Sequence, residues 1–339
     1  MSFFSNLTNQ IRTLDSNILL VDGMNTFIRG TSISHIVNDN GVPIGGYGGF
    51  LLSLGYAIKL LKPTHCIVVF DGVNGSSQRK AIFPDYKANR NVVKTAPKNS
   101  IYNSVEEENF AIKLQLNRLL DYLKLFPIHI VMIDNAEADD VIAHIVHTHK
   151  NSKKYIMSTD QDFYQLIDED TFVYSPTKKI IIDENYIKEN FDLIPKNFII
   201  HKIFNGDNSD NIPGVSGVGL KTLQKRIPFL FEDKRRTVDD IYNYLDTCAD
   251  LDKYKILSDM KNSKERMQLN YKIMQLEEPL LFESQKEEIK KILESEVPKL
   301  NTFSFLKYST VDGLEGTIIK YTQKWVTEVF SNLTNYIKV

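Results

Sequence analysis

Four short apolar runs, each followed within two residues by an aspartate, limit the folds open to this chain. The runs lie at residues 18–21, 66–70, 128–133 and 155–158, and the aspartates are Asp22, Asp71, Asp134 and Asp160. Helical patterns at 51–61, 106–125 and 138–149 separate them. Strands alternating with helices predict an α/β fold with a doubly wound, mostly parallel sheet. Ligands bind beyond the carboxyl ends of such strands, so these aspartates are expected at the functional edge.

Composition changes along the chain predict three regions. We expect an α/β domain over residues 1–205, a helical region over 206–297 and a helical tail over 298–339. The uncharged window 41–58 is interpreted as a glycine-rich entry followed by a soluble helix, because its glycines and Pro43 argue against a membrane span. Two distant cysteines and no signal peptide favour a soluble protein of the reducing cytoplasm.

The acidic residues of this sequence occur in tight clusters. Nine of them are candidate metal ligands: Asp22, Asp71, Glu137, Asp139, Asp140, Asp160, Asp162, Asp207 and Asp210. A single acid of this kind is as easily explained by helix capping, but capping does not explain pairs at several locations. Carboxylates gathered at one edge without cations would repel one another and take up protons. Asp134 belongs to no pair and is interpreted as a turn or capping residue.

Divalent cations that prefer oxygen ligands resolve this repulsion. No histidine falls inside the clusters, so Mg²⁺, or Mn²⁺ in its place, is expected rather than zinc. Two such ions about 4 Å apart promote phosphodiester hydrolysis. Two rival motifs fail, because Leu220 separates Gly219 from the lysine that a P-loop needs, and Met24 replaces the second acid of an aspartyl-phosphate phosphatase.

Two basic stretches predict contacts with nucleic acid. Between residues 79 and 98, aromatic residues lie among six basic ones: Arg79, Lys80, Lys87, Arg90, Lys94 and Lys98. This mixture is typical of single-strand binding, with a solvated basic loop as the alternative. In the segment 212–222, closely spaced glycines expose backbone N–H groups to a phosphate beside Lys221, with Lys225 following. An ordinary glycine turn is the alternative there, but the local positive charge favours duplex-backbone binding.

Six motifs resemble those of the flap endonuclease, or 5′-nuclease, family. They are ILLVDGMN, VFDG, FPDYKANR, AEADD, STDQD and GDNSDNIPGVSGVG, in the family's order over roughly residues 15–230. The resemblance implies a PIN-like nuclease domain, a helical arch within 79–118 and a helix-three-turn-helix DNA-binding element around 214–225. The segment 90–106 and the chain beyond about 240 match no motif residue by residue.

The resemblance also implies roles for individual residues. Asp22, Asp71, Glu137 and Asp139 would hold a first metal ion, and Asp160, Asp162 and Asp207 a second, with Asp140 and Asp210 in the outer shell. Lys87 and Arg90 would contact the scissile phosphate, and Tyr86 would stack on the terminal base. The residues expected to contact nucleic acid are Arg79, Lys80, Gly214, Gly217, Gly219, Lys221 and Lys225, with a monovalent cation such as K⁺ at the glycine turn.

The predicted function is therefore a Mg²⁺-dependent 5′-3′ exonuclease or flap endonuclease, similar to stand-alone bacteriophage members of the family, including phage ribonuclease H. Its expected substrates are DNA with a 5′ flap or nick and RNA–DNA primer hybrids, acted on by a monomer. A PIN-type ribonuclease on structured RNA and a non-catalytic junction-binding scaffold are the alternatives. A single-strand-binding protein or a sliding clamp is a candidate partner of the tail. The segment 323–330 partly matches a clamp-binding peptide, although an ordinary amphipathic helix is preferred there.

The near-neutral charge of the chain is consistent with these predictions. The 339 residues carry 41 Lys and Arg against 43 Asp and Glu, a formal net charge of −2. Setting aside the nine candidate ligands leaves 34 acids against 41 bases, a surplus of seven. The chain is therefore expected to combine an acidic metal-binding cluster with basic surfaces for a polyanion.

Overall fold

The computed structural model describes residues 16–33, 36–91, 102, 104–251 and 253–334. Its strands are β1 (Ser16–Asp22), β2 (His65–Asp71), β3 (His129–Ile133), β4 (Ser152–Met157), β5 (Thr171–Ser175), β6 (Ile180–Ile182), β7 (Gly206–Asp207) and β8 (Ile212–Pro213). Its helices are α1 (Gly23–Ile33), α2 (Gly45–Leu61), α3 (Ser77–Ile82), α4 (Val105–Leu123), α5 (Ala138–Thr148), α6 (Glu184–Phe191), α7 (Pro195–Asn205), α8 (Leu220–Arg226), α9 (Val238–Thr247), α10 (Lys255–Asn262), α11 (Lys264–Met274), α12 (Glu283–Glu294), α13 (Thr302–Asp312) and α14 (Thr322–Thr334).

The main sheet has the order β3-β2-β1-β4-β5-β6. Strands β1 to β5 are parallel and β6 pairs antiparallel with β5. The predicted α/β fold and its four parallel strands are confirmed, whereas β5 and β6 are short and were not predicted. The strand order reverses at β1, between its neighbours β2 and β4. In doubly wound sheets this reversal opens a crevice beyond the strand ends, which is where Asp22 and Asp71 lie.

One hydrophobic core runs across the expected boundary near residue 205. The boundary falls where α7 ends and β7 begins. The core nevertheless contains Val141 and Phe163 from the sheet region together with Leu223, Tyr242 and Met267 from the helical region. The regions 1–205 and 206–297 are therefore packed against each other through a shared interior, which keeps the helical region in place beside the sheet edge.

The C-terminal helices pack into a second hydrophobic core. This core lies on the face of the main sheet opposite to the core described above. Val326, Val329 and Phe330 of α14 are fully buried, and the Phe330 ring stacks on Phe126 at a centroid distance of 4.2 Å. The tail expected over 298–339 is helical over its described part, and its helices complete the core on this face of the sheet. The apolar residues of the partial clamp-binding match are unavailable to a partner in this arrangement.

The glycines after Pro43 lie inside α2, which begins at Gly45, and do not form the expected entry segment. Their missing side chains allow close packing. A Cβ on Gly55 would lie 2.6 Å from the Trp325 ring, and one on Gly48 would overlap Ile318. The C-terminal helices therefore pack against the glycine face of α2. In the part of the chain that the structure describes, no helix is both long and apolar enough to cross a membrane.

Candidate active site

The ends of β1 and β4 are joined by hydrogen bonds around Asp22. Asp22 Oδ1 accepts from the Asn25 backbone N–H at 3.1 Å, and Asp22 Oδ2 accepts from the Ser158 hydroxyl at 3.0 Å. The same Ser158 oxygen accepts from the Asp160 N–H at 3.1 Å. Ser158 therefore ties the acid at the end of one strand to the acid cluster after its neighbour. Ser158 was assigned no role from the sequence, although it is the first residue of the STDQD motif.

The N-terminus of α5 brings three acids around the guanidinium of Arg79. Its Nη1 lies 2.7 Å from Glu137 and 2.5 Å from Asp140, and its Nη2 lies 3.1 Å from Asp139. Asp71 joins this group, since its Oδ1 accepts from the Ala138 N–H at 2.8 Å. Only 2% of Arg79 is exposed. The expectation that Arg79 contacts nucleic acid is therefore corrected: it is a buried counter-ion of the carboxylates.

Tyr86 and Lys87 connect this group to the β7–β8 hairpin. The Tyr86 hydroxyl donates to Glu137 at 2.9 Å and to Asp210 at 3.1 Å, and the Lys87 ammonium pairs with Glu137. Lys87 has a left-handed backbone with φ of 58°, and its N–H donates to the Asp210 carbonyl. Tyr86 is 2% exposed, so it cannot stack on a terminal base in this arrangement. That expectation is corrected, because the ring is buried beneath the site with its hydroxyl on the acids.

Lys202 of α7 joins the last two acid clusters. Its Nζ lies 2.9 Å from Asp162 and 3.0 Å from Asp207. Asp207 is further held by the Ser209 hydroxyl at 2.6 Å. Lys202 was also missed by sequence reasoning, because a lone lysine within a helix forms no motif and is brought to the acids only by tertiary packing.

Burial and mutual repulsion shift the pKa values of the acids. Burial raises the pKa of Asp22 to about 7, with smaller contributions from Asp160 and Asp71. Burial, followed by repulsion from Asp160, raises the pKa of Asp162 to about 7. Burial also raises the pKa values of three others, Asp139, Asp140 and Asp160. For these carboxyl groups the cost of burying the charged form outweighs the stabilisation by nearby cations.

The pKa values of two acids, Glu137 and Asp207, are lowered instead, because cations and hydrogen bonds outweigh burial there. Burial alone would raise the pKa of Glu137, but Arg79 and Lys87 outweigh it and the pKa falls below its usual value. The pKa of Asp207 is also lowered, because hydrogen bonds from Ser209 and the charge of Lys202 overcome its burial. The site therefore contains carboxylates whose pKa values are lowered by cations and hydrogen bonds, and carboxyl groups whose pKa values burial keeps raised.

The donor set fits divalent cations that prefer oxygen ligands. All nine predicted acids lie on elements that meet at the carboxyl edge of the sheet. Within the described ranges, however, no three acidic, histidine or cysteine side chains are arranged around a common metal position. Their oxygens are engaged by Arg79, Tyr86, Lys87, Lys202 and Ser158. Ions placed there would exchange some of these contacts for oxygen coordination.

The glycine turn follows the β7–β8 hairpin and presents Gly217 to solvent. Val215 and Val218 are buried in the core, while Gly217 is exposed with φ of 76°. Open space surrounds the position that a Gly219 side chain would occupy. The Lys221 and Lys225 side chains are exposed on α8, and Gly214 is packed against the backbone of Asn205.

The remaining basic residues of the stretch 79–98 lie outside the acid cluster or outside the described part of the structure. Lys80 is exposed on α3. Arg90 lies in a short 3-10 helix, Ala88–Asn91, but its side chain falls outside the described part of the structure, as do Lys94 and Lys98. Asp134 behaves as predicted for a turn residue, because its Oδ1 accepts from the Val73 N–H at 3.1 Å.

Known proteins show the same sequence pattern. Residues 17–192 match the family model described as the 5′-3′ exonuclease N-terminal resolvase-like domain. A 5′-3′ exonuclease of Buchnera aphidicola subsp. Acyrthosiphon pisum is 27% identical over 296 residues, which cover 86% of this chain and 96% of the relative. The flap endonuclease Xni of Shewanella denitrificans is 28% identical over 265 residues, covering 77% of this chain and 93% of the relative.

The fold is likewise shared with a solved structure. A bacteriophage T5 flap endonuclease variant, crystallised as a pseudo-enzyme-product complex with DNA and metal ions, matches with a TM-score of 0.61 and 20% identity. The match covers 94% of this chain and 99% of that one. Because the family model spans more than half of the chain, this protein belongs to the 5′-3′ exonuclease family of nucleases.

Proposed function

We propose that this nuclease is Mg²⁺-dependent and cleaves phosphodiesters near the 5′ end of a flap, a nick or an RNA primer on DNA. The observation that carries the proposal is the convergence of nine acids on one sheet edge, where burial raises the pKa values of Asp22 and Asp162 to about 7. Bound divalent ions would supply the activated water and the charge stabilisation that phosphodiester hydrolysis requires.

The residues of this chain would bind the ions and stabilise the charge that develops on the phosphate. Asp22, Asp71, Glu137 and Asp139 would hold one ion, and Asp160, Asp162 and Asp207 the other, with Asp140 and Asp210 supporting them through hydrogen bonds. Lys87 lies at the centre of the edge on Glu137, with its ammonium 4.8 Å from the centre of the Tyr86 ring. From there its charge would stabilise the phosphate in the transition state, and Arg90 is proposed for the same role.

The exposed glycine turn is proposed as the duplex contact. Gly217, Gly219, Lys221 and Lys225 form an outward-facing, positively charged surface at the start of α8. We propose that it binds the phosphate backbone of the duplex without base specificity, with K⁺ bound at the turn. Lys80 is proposed to contact the phosphates of the single strand. We further propose that the protein acts as a monomer in the cytoplasm.

One purified preparation tests the proposal. It is incubated with labelled 5′-flap, nicked, single-stranded and RNA–DNA substrates, with Mg²⁺ and with EDTA. We expect Mg²⁺-dependent cleavage of the flap, nicked and hybrid substrates. Cleavage of hairpin RNA with the flap and hybrid left intact would instead indicate a structured-RNA nuclease. Binding without cleavage of any substrate would indicate a junction-binding scaffold.

A further inference from the structure

A single helix, buried along one face, joins the two halves of the proposed site. Helix α11 begins at Lys264 and runs for eleven residues, about 16 Å, to Met274, and the connector 275–282 leads on to α12. This region matched no family motif in the sequence. In the structure it contacts the acid-bearing edge and the hairpin that precedes the glycine turn.

Near its middle, α11 is tied to the hairpin by Asn270. The side chain is 2% exposed, and its Nδ2 donates to the Ile203 carbonyl at 3.0 Å and to the Pro213 carbonyl at 2.9 Å. Pro213 ends β8, which pairs with the strand that contains Asp207, and the glycine turn begins at the next residue. Asn270 therefore fixes a unit that carries both a candidate metal ligand and the proposed duplex contact.

At the acid end, the same element is held by Gln165. Its Nε2 donates to the Asp162 carbonyl at 2.8 Å and to the Met274 carbonyl at 3.0 Å, and its Oε1 accepts from the Leu276 N–H at 2.8 Å. Gln165 is 6% exposed. One amide thus ties the turn that carries Asp162 to the end of α11.

Two further contacts attach this end of α11 and the connector to the other acid cluster. Arg79 donates from Nε to the Ile273 carbonyl at 2.8 Å, and the Leu280 N–H donates to Asp140 Oδ1 at 2.8 Å. The carboxylates around Arg79 and those around Asp162 are therefore fastened to one end of α11, while the hairpin is fastened near its middle.

We infer that Gln165 and Asn270 are positioning residues that set where the phosphodiester is cut relative to the duplex contact. The inference rests on the proposed function. Buried amides that satisfy several backbone groups define one geometry, because any slip leaves those groups without partners. Without them the glycine turn and the acids would no longer hold one fixed separation, and the phosphate presented for cleavage would vary.

The test compares product lengths at single-nucleotide resolution on a 5′-flap duplex. Gln165→Met and Asn270→Leu keep side-chain volume while removing the hydrogen bonds. We expect the main product of the unsubstituted protein to be joined by products one or more nucleotides longer or shorter, reaching at least a fifth of the total. Duplex affinity measured in Ca²⁺ should change less than threefold. Asn197→Leu is the matched control, because Asn197 is also buried and holds three backbone groups, but none in the acid turns or the glycine turn.

A general loss of stability predicts a different result. If the two variants melt at lower temperature, as the control should, yet yield the unsubstituted product pattern, the inference is overturned and the proposed function stands. Should either variant fail to fold, Gln165→Glu and Asn270→Asp, which keep shape and lose donors, take its place with the same criterion. Absence of flap cleavage by the unsubstituted protein would overturn the proposed function and this inference together.

Discussion

The hydroxyl of Tyr86 donates a hydrogen bond to Glu137 Oε2 across 2.9 Å in the buried floor of the site. The same hydroxyl reaches Asp210 at 3.1 Å. A residue that the sequence placed against a substrate base thus serves the carboxylates, and it joins the α5 cluster to the hairpin cluster.

Removing that hydroxyl should loosen the acid cluster. For Tyr86→Phe we expect the free energy of unfolding to fall by about 1–2 kcal/mol, because two carboxylates lose a shared buried donor. Urea denaturation at pH 7.5 without metal measures the change. A variant as stable as the parent would show that the hydrogen bonds contribute nothing net.

Lys87 should act on the rate more than on binding. For Lys87→Ala we expect the single-turnover rate on a flap substrate to fall by roughly 100-fold or more, because a cation beside the reacting phosphate is lost. Substrate affinity should change only a few-fold. Lys80→Ala, in the same basic stretch but exposed on α3, is the control and should alter affinity alone. A pure affinity loss for Lys87→Ala would reassign Lys87 to substrate positioning.

The acids after β4 should be essential for chemistry and dispensable for binding. For Asp160→Asn we expect cleavage to drop below detection, since an amide is a poor ligand for Mg²⁺, while duplex binding in Ca²⁺ persists. Asp134→Asn at the same sheet edge is the control, because an amide oxygen can still accept from Val73. Unchanged turnover of Asp160→Asn would refute the proposed metal site.

Lys221 should contribute to the salt dependence of duplex binding. For Lys221→Ala we expect affinity to decrease at low salt and the slope of log K against log salt to shrink by about one, as one phosphate contact is lost. Fluorescence anisotropy over a range of KCl concentrations gives the slope. An unaltered slope would argue against the glycine turn as the duplex contact.

His201 should make the fold sensitive to acid. Burial, with a smaller contribution from Lys202, lowers the pKa of His201 from 6.5 to about 4. Between pH 6.5 and about 4 the unfolded chain binds a proton that the folded chain does not. The free energy of unfolding therefore decreases as the pH falls through this range. The loss should approach about 3 kcal/mol at most. Subtracting the unfolding free energies of His201→Gln from those of the parent at pH 7, 6, 5 and 4 isolates the effect, and parallel curves would contradict it.

The sequence by itself was sufficient to predict the α/β class, the four parallel strands, the family and the location of acids at the carboxyl ends of the strands. These follow from local signals: an apolar run specifies a buried strand, the residue after it lies at the sheet edge, and short acidic motifs reveal shared chemistry. The glycine turn was predicted for the same reason, because its glycines are close in sequence.

Only the tertiary structure decided which partner each charged group meets. Arg79 and Tyr86 look like surface residues in a basic, aromatic stretch, yet the fold buries both among carboxylates. Lys202, Gln165 and Asn270 carry no motif, because their partners lie on other elements or far along the chain. The sequence likewise predicted only a helical tail at the C-terminus, because the packing of these helices on the glycine face of α2 is a long-range contact. Local patterns determine the elements, whereas counter-ions and buried amides depend on long-range packing that a linear pattern does not record.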